Sequence, residues 1–268
     1  MYKICQKFLP ISPWEKNVTS RLPGIQPLEH VDLLYMVDDA FNAQMSYRDF
    51  LIKEKRSEIF YLSEKSLHSA QELLESVIAI LKNNSRYKIY PDRIQRPDKK
   101  IIFLKEDNPI IIAGRLIQED LLILHWDNYF QEHILEGGVL CFPALWTLKE
   151  KINKPLSRIH KPVAQYNEKI TRSVQRMFNN LKVDKPIWRA NWYLYKDPEL
   201  FSPLSEKFSH TTKKEYFEGD FWVRVERQTL KRLPVTNAIL FGIHTYLVNK
   251  KQLTLKQITS LKNYSLKK

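Results

Sequence analysis

Hydrophobic residues recur at helical spacing through much of the first half of the chain. Apart from short helical pieces, the first sixty or so residues read as irregular, and Met36–Glu54 mixes apolar and polar residues with a helical period. Ser66–Asn84 is a clear amphipathic helix, whose apolar face carries Leu67, Leu73, Leu74, Val77, Ile78 and Leu81. In Pro109–Trp126 an apolar run, I-I-I-A, precedes a second helix-like piece that contains Gln118, Glu119 and Asp120.

The second half of the chain has the patterns of strands. Gly137-Gly138 is a turn signal before V-L-C-F-P-A-L-W, which reads as a buried strand interrupted by Pro143. Three further strands are predicted at Ile187–Tyr195, Phe221–Arg227 and Asn237–Val248. Helices are predicted at Thr147–Ile152, Pro162–Leu181 and Leu255–Tyr264. Strands gathered late in the chain, without βαβ alternation, predict an α+β fold in which helices back an antiparallel sheet.

Composition narrows the class of protein. The 268 residues are 43% hydrophobic and 12% aromatic, which is enough for a core. No apolar run approaches the roughly 20 residues of a membrane-spanning helix, and the N-terminus does not read as a signal peptide, so we expect a cytoplasmic protein. Two cysteines favour neither a disulfide framework nor a cysteine zinc site. With 6 glycines and no phosphate-binding glycine motif, a nucleotide-dependent Rossmann enzyme is disfavoured.

The net charge of +13 raises the possibility of nucleic-acid binding. Much of the charge lies in two stretches, Arg86–Lys100 and the tail Lys250–Lys268, which read as solvated surface. Neither stretch has a helix-turn-helix, zinc-finger or RNP-like pattern. Nucleic-acid binding is therefore kept only as a minor alternative.

A dense group of cations lies in Arg224–Pro234, which reads R-V-E-R-Q-T-L-K-R-L-P. Arginines beside a core need a counter-charge, which Glu226 can give to only one of them, and a carboxylate or phosphate ligand would suit the others. An exposed strand edge with ordinary surface ion pairs is the alternative. The spacing alone does not choose between them.

Two further positions could carry chemistry. Arg189 lies between Trp188 and Trp192, which favours either a cation–π stack in the core or a cofactor wall with an arginine that binds a carboxylate. His160 is followed by Lys161 and Pro162, whose ring stiffens the backbone and would suit a metal ligand. A hydrogen-bonded histidine is the alternative, and the sequence also leaves His125, His133 and His244 open.

Several motifs, in order and at matching spacing, resemble the heme-dependent oxidative N-demethylases over roughly residues 30–250. They are R-L-I-Q-E-D-L-L-I-L (Arg115–Leu124), C-F-P-A-L-W (Cys141–Trp146), K-I-N-K-P-L-S-R-I-H-K-P-V (Lys151–Val163), I-W-R-A-N-W (Ile187–Trp192), and V-E-R-Q-T-L-K-R-L-P with N-A-I-L-F and T-Y (Val225–Tyr246).

The resemblance implies a PAS-like antiparallel sheet packed with helices, in a single domain over 1–268 with a basic loop at 86–100 and a basic tail at 250–268. It implies heme b with His160 as the axial iron ligand, and propionates bound by arginines among Arg189, Arg224, Arg227 and Arg232. The implied reaction oxidises an N-methyl group of a small methylated amine such as dimethylamine with dioxygen and releases formaldehyde. Electrons would come from separate flavin or iron–sulfur reductase subunits. Glu119, Asp120, Trp192 and Glu226 are the candidates for binding the amine.

The chain also departs from the family's pattern. It has P-V-A-Q-Y at Pro162–Tyr166 where relatives tend to have P-V-P-G-Y, and His244 where they tend to have arginine. These changes put the identity of the amine in doubt more than the heme. A heme-based gas or redox sensor without turnover is the alternative function, because a PAS-like fold serves sensing as well.

Overall fold

The structure is a computed structural model that describes residues 3–15, 24–161, 168–205 and 219–266. Its helices are α1 (Phe41–Glu54), α2 (Arg56–Ile59), α3 (Leu67–Leu81), α4 (Pro109–Leu116), α5 (Leu148–Lys151), α6 (Leu156–His160), α7 (Glu168–Asn180) and α8 (Leu255–Leu266). Its strands are β1 (Gln26–Pro27), β2 (Phe60–Leu62), β3 (Lys88–Ile89), β4 (Arg93–Gln95), β5 (Ile101–Phe103), β6 (Asp120–Asp127), β7 (Glu132–Val139), β8 (Ile187–Tyr195), β9 (Trp222–Arg232) and β10 (Ile239–Asn249). No helix in these ranges is long and apolar enough to cross a membrane.

A seven-stranded sheet in the order β1-β8-β9-β10-β6-β7-β2 forms the centre, with antiparallel pairing throughout, and β3-β4-β5 make a separate three-stranded sheet. The prediction of an α+β fold with an antiparallel sheet is confirmed. The hairpin of β9 and β10 pairs in register from Arg232–Ile239 to Trp222–Asn249. Its turn is held by Glu72 of α3, whose carboxylate accepts hydrogen bonds from the backbone N–H groups of Val235 and Thr236.

Helices cover both sides of the sheet. On one side α6 and α7 pack through Leu156 and Phe178 against Leu230, Ile239 and Ile243. We call this side the α7 face. On the other side α8 packs against Trp192, Val225 and Tyr246, together with the N-terminal residues Leu9 and Trp14. We call that side the α8 face. Helices α1, α3 and α4 form the largest apolar cluster, with Leu121 and Ile123 of β6.

Several predicted elements are confirmed. The strand at Ile187–Tyr195 is β8, and the amphipathic helix at Ser66–Asn84 is α3. The late strands are β9 and β10, and β9 continues five residues beyond the predicted end. Helices at Thr147–Ile152 and Leu255–Tyr264 correspond to α5 and α8. The helix predicted at Pro162–Leu181 is α7 where it is described, while residues 162–167, which hold P-V-A-Q-Y, lie outside the described residues.

Three local predictions were wrong. Gly137 and Gly138 lie inside β7 rather than in a turn. They are glycines because of the neighbouring strands: a Cβ at these positions would come within 2.5 Å of the side chains of Leu62 and Leu122. Residues 140–146 are not a strand. The helix-like piece at Gln118–Asp120 was also wrong, since α4 ends at Leu116 and Asp120 opens β6.

The basic stretch at Arg86–Lys100 is not only solvated surface. It contributes β3 and β4, and the guanidinium of Arg96 is buried in ion pairs with Asp49 and Asp98. The interpretation of this stretch as solvated surface or loop therefore does not extend to Arg96.

Candidate functional site

Strand periodicity divides the predicted site residues between the two faces of the sheet. Side chains alternate along a strand, and residues paired across an antiparallel ladder point to the same side. Arg189 pairs with Gln228, and Asn191 pairs with Glu226, so these four share the α7 face. Trp192 is one residue out of step with them and belongs to the α8 face.

His160 ends α6, in the helix layer that covers the α7 face. Its Nδ1 atom lies 2.9 Å from the carbonyl oxygen of Leu156, one turn earlier. A carbonyl oxygen only accepts, so Nδ1 must carry the proton, and the lone pair of the neutral ring is on Nε2. Burial lowers the pKa of His160, which keeps the imidazole neutral. This is the arrangement in which a histidine ligates a metal through Nε2 while Nδ1 is oriented by a backbone acceptor.

Arg189 lies close enough to His160 for its charge to lower the pKa of the imidazole further. The guanidinium donates from Nη2 to the side-chain oxygen of Asn191. Its Nε atom is buried and has no hydrogen-bond partner among the described residues. Burial lowers the pKa of Arg189 as well. An anionic group at this point would satisfy both the unmatched donor and the buried charge.

Glu226 is the acidic residue on the α7 face nearest to this arginine in register. Burial raises the pKa of its carboxyl, and Arg224 opposes that rise. One oxygen accepts from Arg224 at 3.2 Å and the other from Gln228 at 3.3 Å. Thr245 pairs with Glu226 from the neighbouring strand β10, and its hydroxyl is buried without a partner among the described residues. A small polar or cationic ligand could therefore meet a carboxylate and a hydroxyl here.

The arginines of the Arg224–Pro234 segment have different surroundings. The fully buried Arg224 donates to the backbone oxygens of Leu200 and Phe142, and only its Nε lacks a partner. Arg232 donates to the backbone oxygens of Leu181, Phe178 and Asn237, so it fixes the end of α7.

Arg227 points to the α8 face. It donates to the backbone oxygen of Leu33, and its guanidinium carbon lies 5.7 Å from the ring centre of Trp188. Along β8, Arg189 points to the face opposite to that of Trp188 and Trp192. The cation–π partner of Trp188 is therefore Arg227 and not Arg189.

Three of the four residues predicted to bind an amine have other surroundings. Trp192 packs edge-on against Trp14, with ring centres 5.4 Å apart, on the α8 face. Asp120 accepts from Arg48 at 2.6 Å and from the backbone N–H groups of Cys141 and Phe142, in a fully buried network. Glu119 belongs to a separate cluster. Of the four, only Glu226 interacts electrostatically with Arg189.

That separate cluster surrounds His244 on the α8 face. Its Nδ1 lies 3.0 Å from Glu119 and its Nε2 lies 3.1 Å from Asp38. Although burial alone would lower the pKa of His244, the hydrogen bonds that the ring donates to the two carboxylates, together with their negative charges, outweigh it and raise that pKa to about 9. Both ring nitrogens therefore carry a proton that is donated to a carboxylate. Neither has a lone pair for a metal, so this histidine is not suited to bind one.

The other candidate histidines are also engaged. His125 lies 2.8 Å from the hydroxyl of Ser69 through Nε2 and 2.9 Å from Glu136 through Nδ1. His133 accepts at Nδ1 from the amide of Gln175, and burial with the charge of Arg232 lowers its pKa to about 4. Among the described residues there is no group of three or more histidine, cysteine, aspartate or glutamate side chains that could hold a metal ion by themselves. A cofactor whose own ring nitrogens bind its metal needs only one protein side chain as a further ligand.

The α7 face thus brings together groups of the kinds that bind a heme. His160 offers a neutral nitrogen, Arg189 an unmatched donor for a propionate, and Ile159, Val174 and Met177 an apolar surface. Sequence reasoning missed Asn191, Gln228 and Thr245. Alternation from Arg189 and Glu226 could have indicated the first two, whereas Thr245 depends on the pairing of β9 with β10.

Comparison with known protein families gives an independent indication. Residues 24–262 match the model of the family described as "Haem-dependent oxidative N-demethylase, alpha subunit-like". The match includes His160, Arg189 and Glu226, and it covers nearly the whole chain.

Proposed function

The chain belongs to the haem-dependent oxidative N-demethylase, alpha subunit-like family, and we propose that it removes a methyl group from a small methylated amine by a heme-dependent oxidation. The observation that carries the proposal is the hydrogen bond from His160 Nδ1 to Leu156, beside a buried arginine with an unmatched donor. We also propose that the fold is PAS-like and that the chain is one heme-binding domain.

In this proposal His160 would bind the iron of heme b through Nε2. Its backbone partner fixes the tautomer in which the lone pair is on Nε2. Arg189 is the main partner of a propionate, and the unmatched Nε of Arg224 is a second candidate. Arg232 is a weaker candidate, because it donates to four backbone oxygens. Arg227 is weaker as well, because it lies on the other face, although its Nη1 also lacks a partner among the described residues.

Heme, when bound, supplies the oxygen activation and the electron chemistry. The side chains of the α7 face bind and orient the substrate. A secondary amine is protonated near neutral pH, and its positive charge would favour the ionised form of Glu226, whose pKa burial raises. Thr245 lies next to it across the sheet and offers a hydroxyl that could accept the second N–H of the amine.

The overall reaction takes one methylated amine, one dioxygen, two electrons and two protons to the demethylated amine, formaldehyde and water. The carbon–nitrogen bond breaks after the methyl carbon has been oxidised to the level of formaldehyde. The two electrons would come from separate flavin or iron–sulfur reductase subunits, in keeping with a family whose description names one subunit, alpha.

Formaldehyde production tests the activity. Heme-loaded protein, with dimethylamine, oxygen and a reductant, should release formaldehyde and methylamine in equal amounts. A heme-loaded protein that binds oxygen or another gas and releases no formaldehyde from any small methylated amine would instead be a sensor or binding protein.

A further inference from the structure

We propose that the outer surface of the α6–α7 layer is the docking surface for an acidic electron-donor protein. This surface, which we call the basic face, comprises Lys154, Arg158, Lys161, Arg172, Arg176 and Lys182, all of them exposed. The inference rests on the proposed function, and it names the kind of partner and the place where it binds.

Much of the net charge of the chain lies here. Residues 149–185 contain ten lysines and arginines against three acidic residues, so this short stretch holds +7 of the net charge of +13. The two basic stretches that stand out in the sequence lie elsewhere, and one of them has its central arginine buried in ion pairs. Both of those stretches are denser in charge, but residues 149–185 carry the largest net charge of the three, and they surround the candidate iron ligand.

The basic face points outward from the layer that carries His160. Helices α6 and α7 bury Leu156 and Phe178 against the sheet, so their exposed side chains lie on the opposite side, toward solvent. Lys161 directly follows His160, and Lys154 and Arg158 precede it within two turns. A protein bound here would approach the heme site through one layer of helix, which is the short path that electron transfer needs.

An acidic protein suits this surface better than a nucleic acid does. Charge steering between opposite surfaces raises association rates and gives short-lived complexes of small interface, as electron-transfer partners form. Proteins that bind single strands combine cations with aromatic rings that stack on bases. In residues 148–161 and 168–185 the structure describes one phenylalanine, tyrosine or tryptophan side chain, Phe178, and it is buried.

The test measures binding of a strongly acidic plant-type [2Fe–2S] ferredoxin to the immobilised protein over a series of salt concentrations. The charge-reversal variant is Arg176→Glu with Lys182→Glu, on and just after α7. The matched control is Lys256→Glu with Lys262→Glu, two exposed lysines of α8 on the other side of the sheet. Both variants change the net charge equally, so a difference between them reports position.

We expect the first variant to weaken ferredoxin binding about 10-fold or more and the control to change it less than about 2-fold, with wild-type binding falling as salt rises. In the heme-loaded protein, reduction by ferredoxin should slow in the same order, while reduction by dithionite should not change. Equal losses in the two variants, or no loss, would overturn the proposal. So would a DNA oligonucleotide that binds more tightly than ferredoxin and depends on the basic face.

The binding measurement does not need heme. A protein that shows position-dependent ferredoxin binding but no formaldehyde release contradicts the proposed catalysis alone. Formaldehyde release without any ferredoxin effect contradicts the docking surface alone.

Discussion

Nδ1 of His244 lies 3.0 Å from a carboxylate oxygen of Glu119, where β10 meets the start of β6. With Asp38 on the other ring nitrogen, the imidazole is a buried cation between two carboxylates. This cluster on the α8 face joins β10 to the residues before β6 and α1. On the α7 face, Arg224 and Arg232 likewise hold backbone segments, while Arg189 and Glu226 are the charged residues assigned to the candidate heme site.

The His244 cluster predicts a loss of stability at alkaline pH. Its folded-state pKa is about 9, above the ordinary value of 6.5, so its contribution is complete below about pH 6.5 and is lost as the pH rises through 9. The shift corresponds to a contribution on the order of 3 kcal/mol to the free energy of unfolding. Urea unfolding at about pH 7 and about pH 10 measures it.

His244→Arg is the control for this pH effect, because arginine stays charged throughout the range. Its free energy of unfolding should depend less on pH than that of the wild type. An equal pH dependence in both proteins would assign the effect to other groups.

Breaking the ion pair between Arg48 and Asp120 should destabilise the fold strongly. Both side chains are fully buried, and Arg48→Ala would leave the carboxylate of Asp120 without its cation. We expect a loss of about 3–5 kcal/mol in the free energy of unfolding. The matched control is Arg56→Ala, which removes a half-exposed partner of Asp107 and should cost less than about 1 kcal/mol. Similar losses in the two variants would contradict this assignment.

Arg189→Gln should weaken heme retention, because it removes the buried donor assigned to a propionate. A charge-assisted hydrogen bond contributes about 1.5–3 kcal/mol, so we expect a loss of affinity of about 10- to 100-fold. Transfer of heme to apomyoglobin measures it. Arg227→Gln, on the other face of the sheet, is the control and should change heme transfer little. The reverse order would place the propionates near Arg227.

Glu226→Gln should separate amine binding from heme binding. The neutral amide cannot pair with a protonated amine, so kcat/KM for formaldehyde release should fall about 10- to 100-fold with the Soret band retained. Glu119→Gln keeps Glu226 intact and alters only the His244 cluster, so its kcat/KM should stay near the wild-type value. If Glu119→Gln caused the larger loss, the substrate site would belong on the α8 face.

Much of the sheet could be predicted from the sequence because β8, β9 and β10 alternate clearly or are strongly apolar. The glycine pair of β7 misled the prediction, since the close approach of Leu62 and Leu122 that demands glycine comes from strands distant in sequence. Glu119 and Asp120 seemed helical for a similar reason: their partners, His244 and Arg48, lie more than seventy residues away.

The candidate site was predictable only in part. His160, Arg189 and Glu226 are visible as residue types in a motif, and they lie on one face. Adjacent residues in a strand point to opposite faces, so Arg227 and Trp192 were grouped with them by proximity in sequence alone. Arg189, Arg224 and Arg227 each keep a donor without a partner among the described residues, and no local pattern reports the backbone oxygens of Phe142, Leu200 and Leu33 that satisfy their other donors.

A heme titration followed at the Soret band tests the central claim most directly. The wild type should bind one heme per chain, His160→Gly should lose or shift the band, and added imidazole should restore it. His133→Ala, which removes another buried histidine of the same region, should bind heme as the wild type does. A wild-type protein that takes up no heme, or a His160→Gly variant with an unchanged spectrum, would contradict the account.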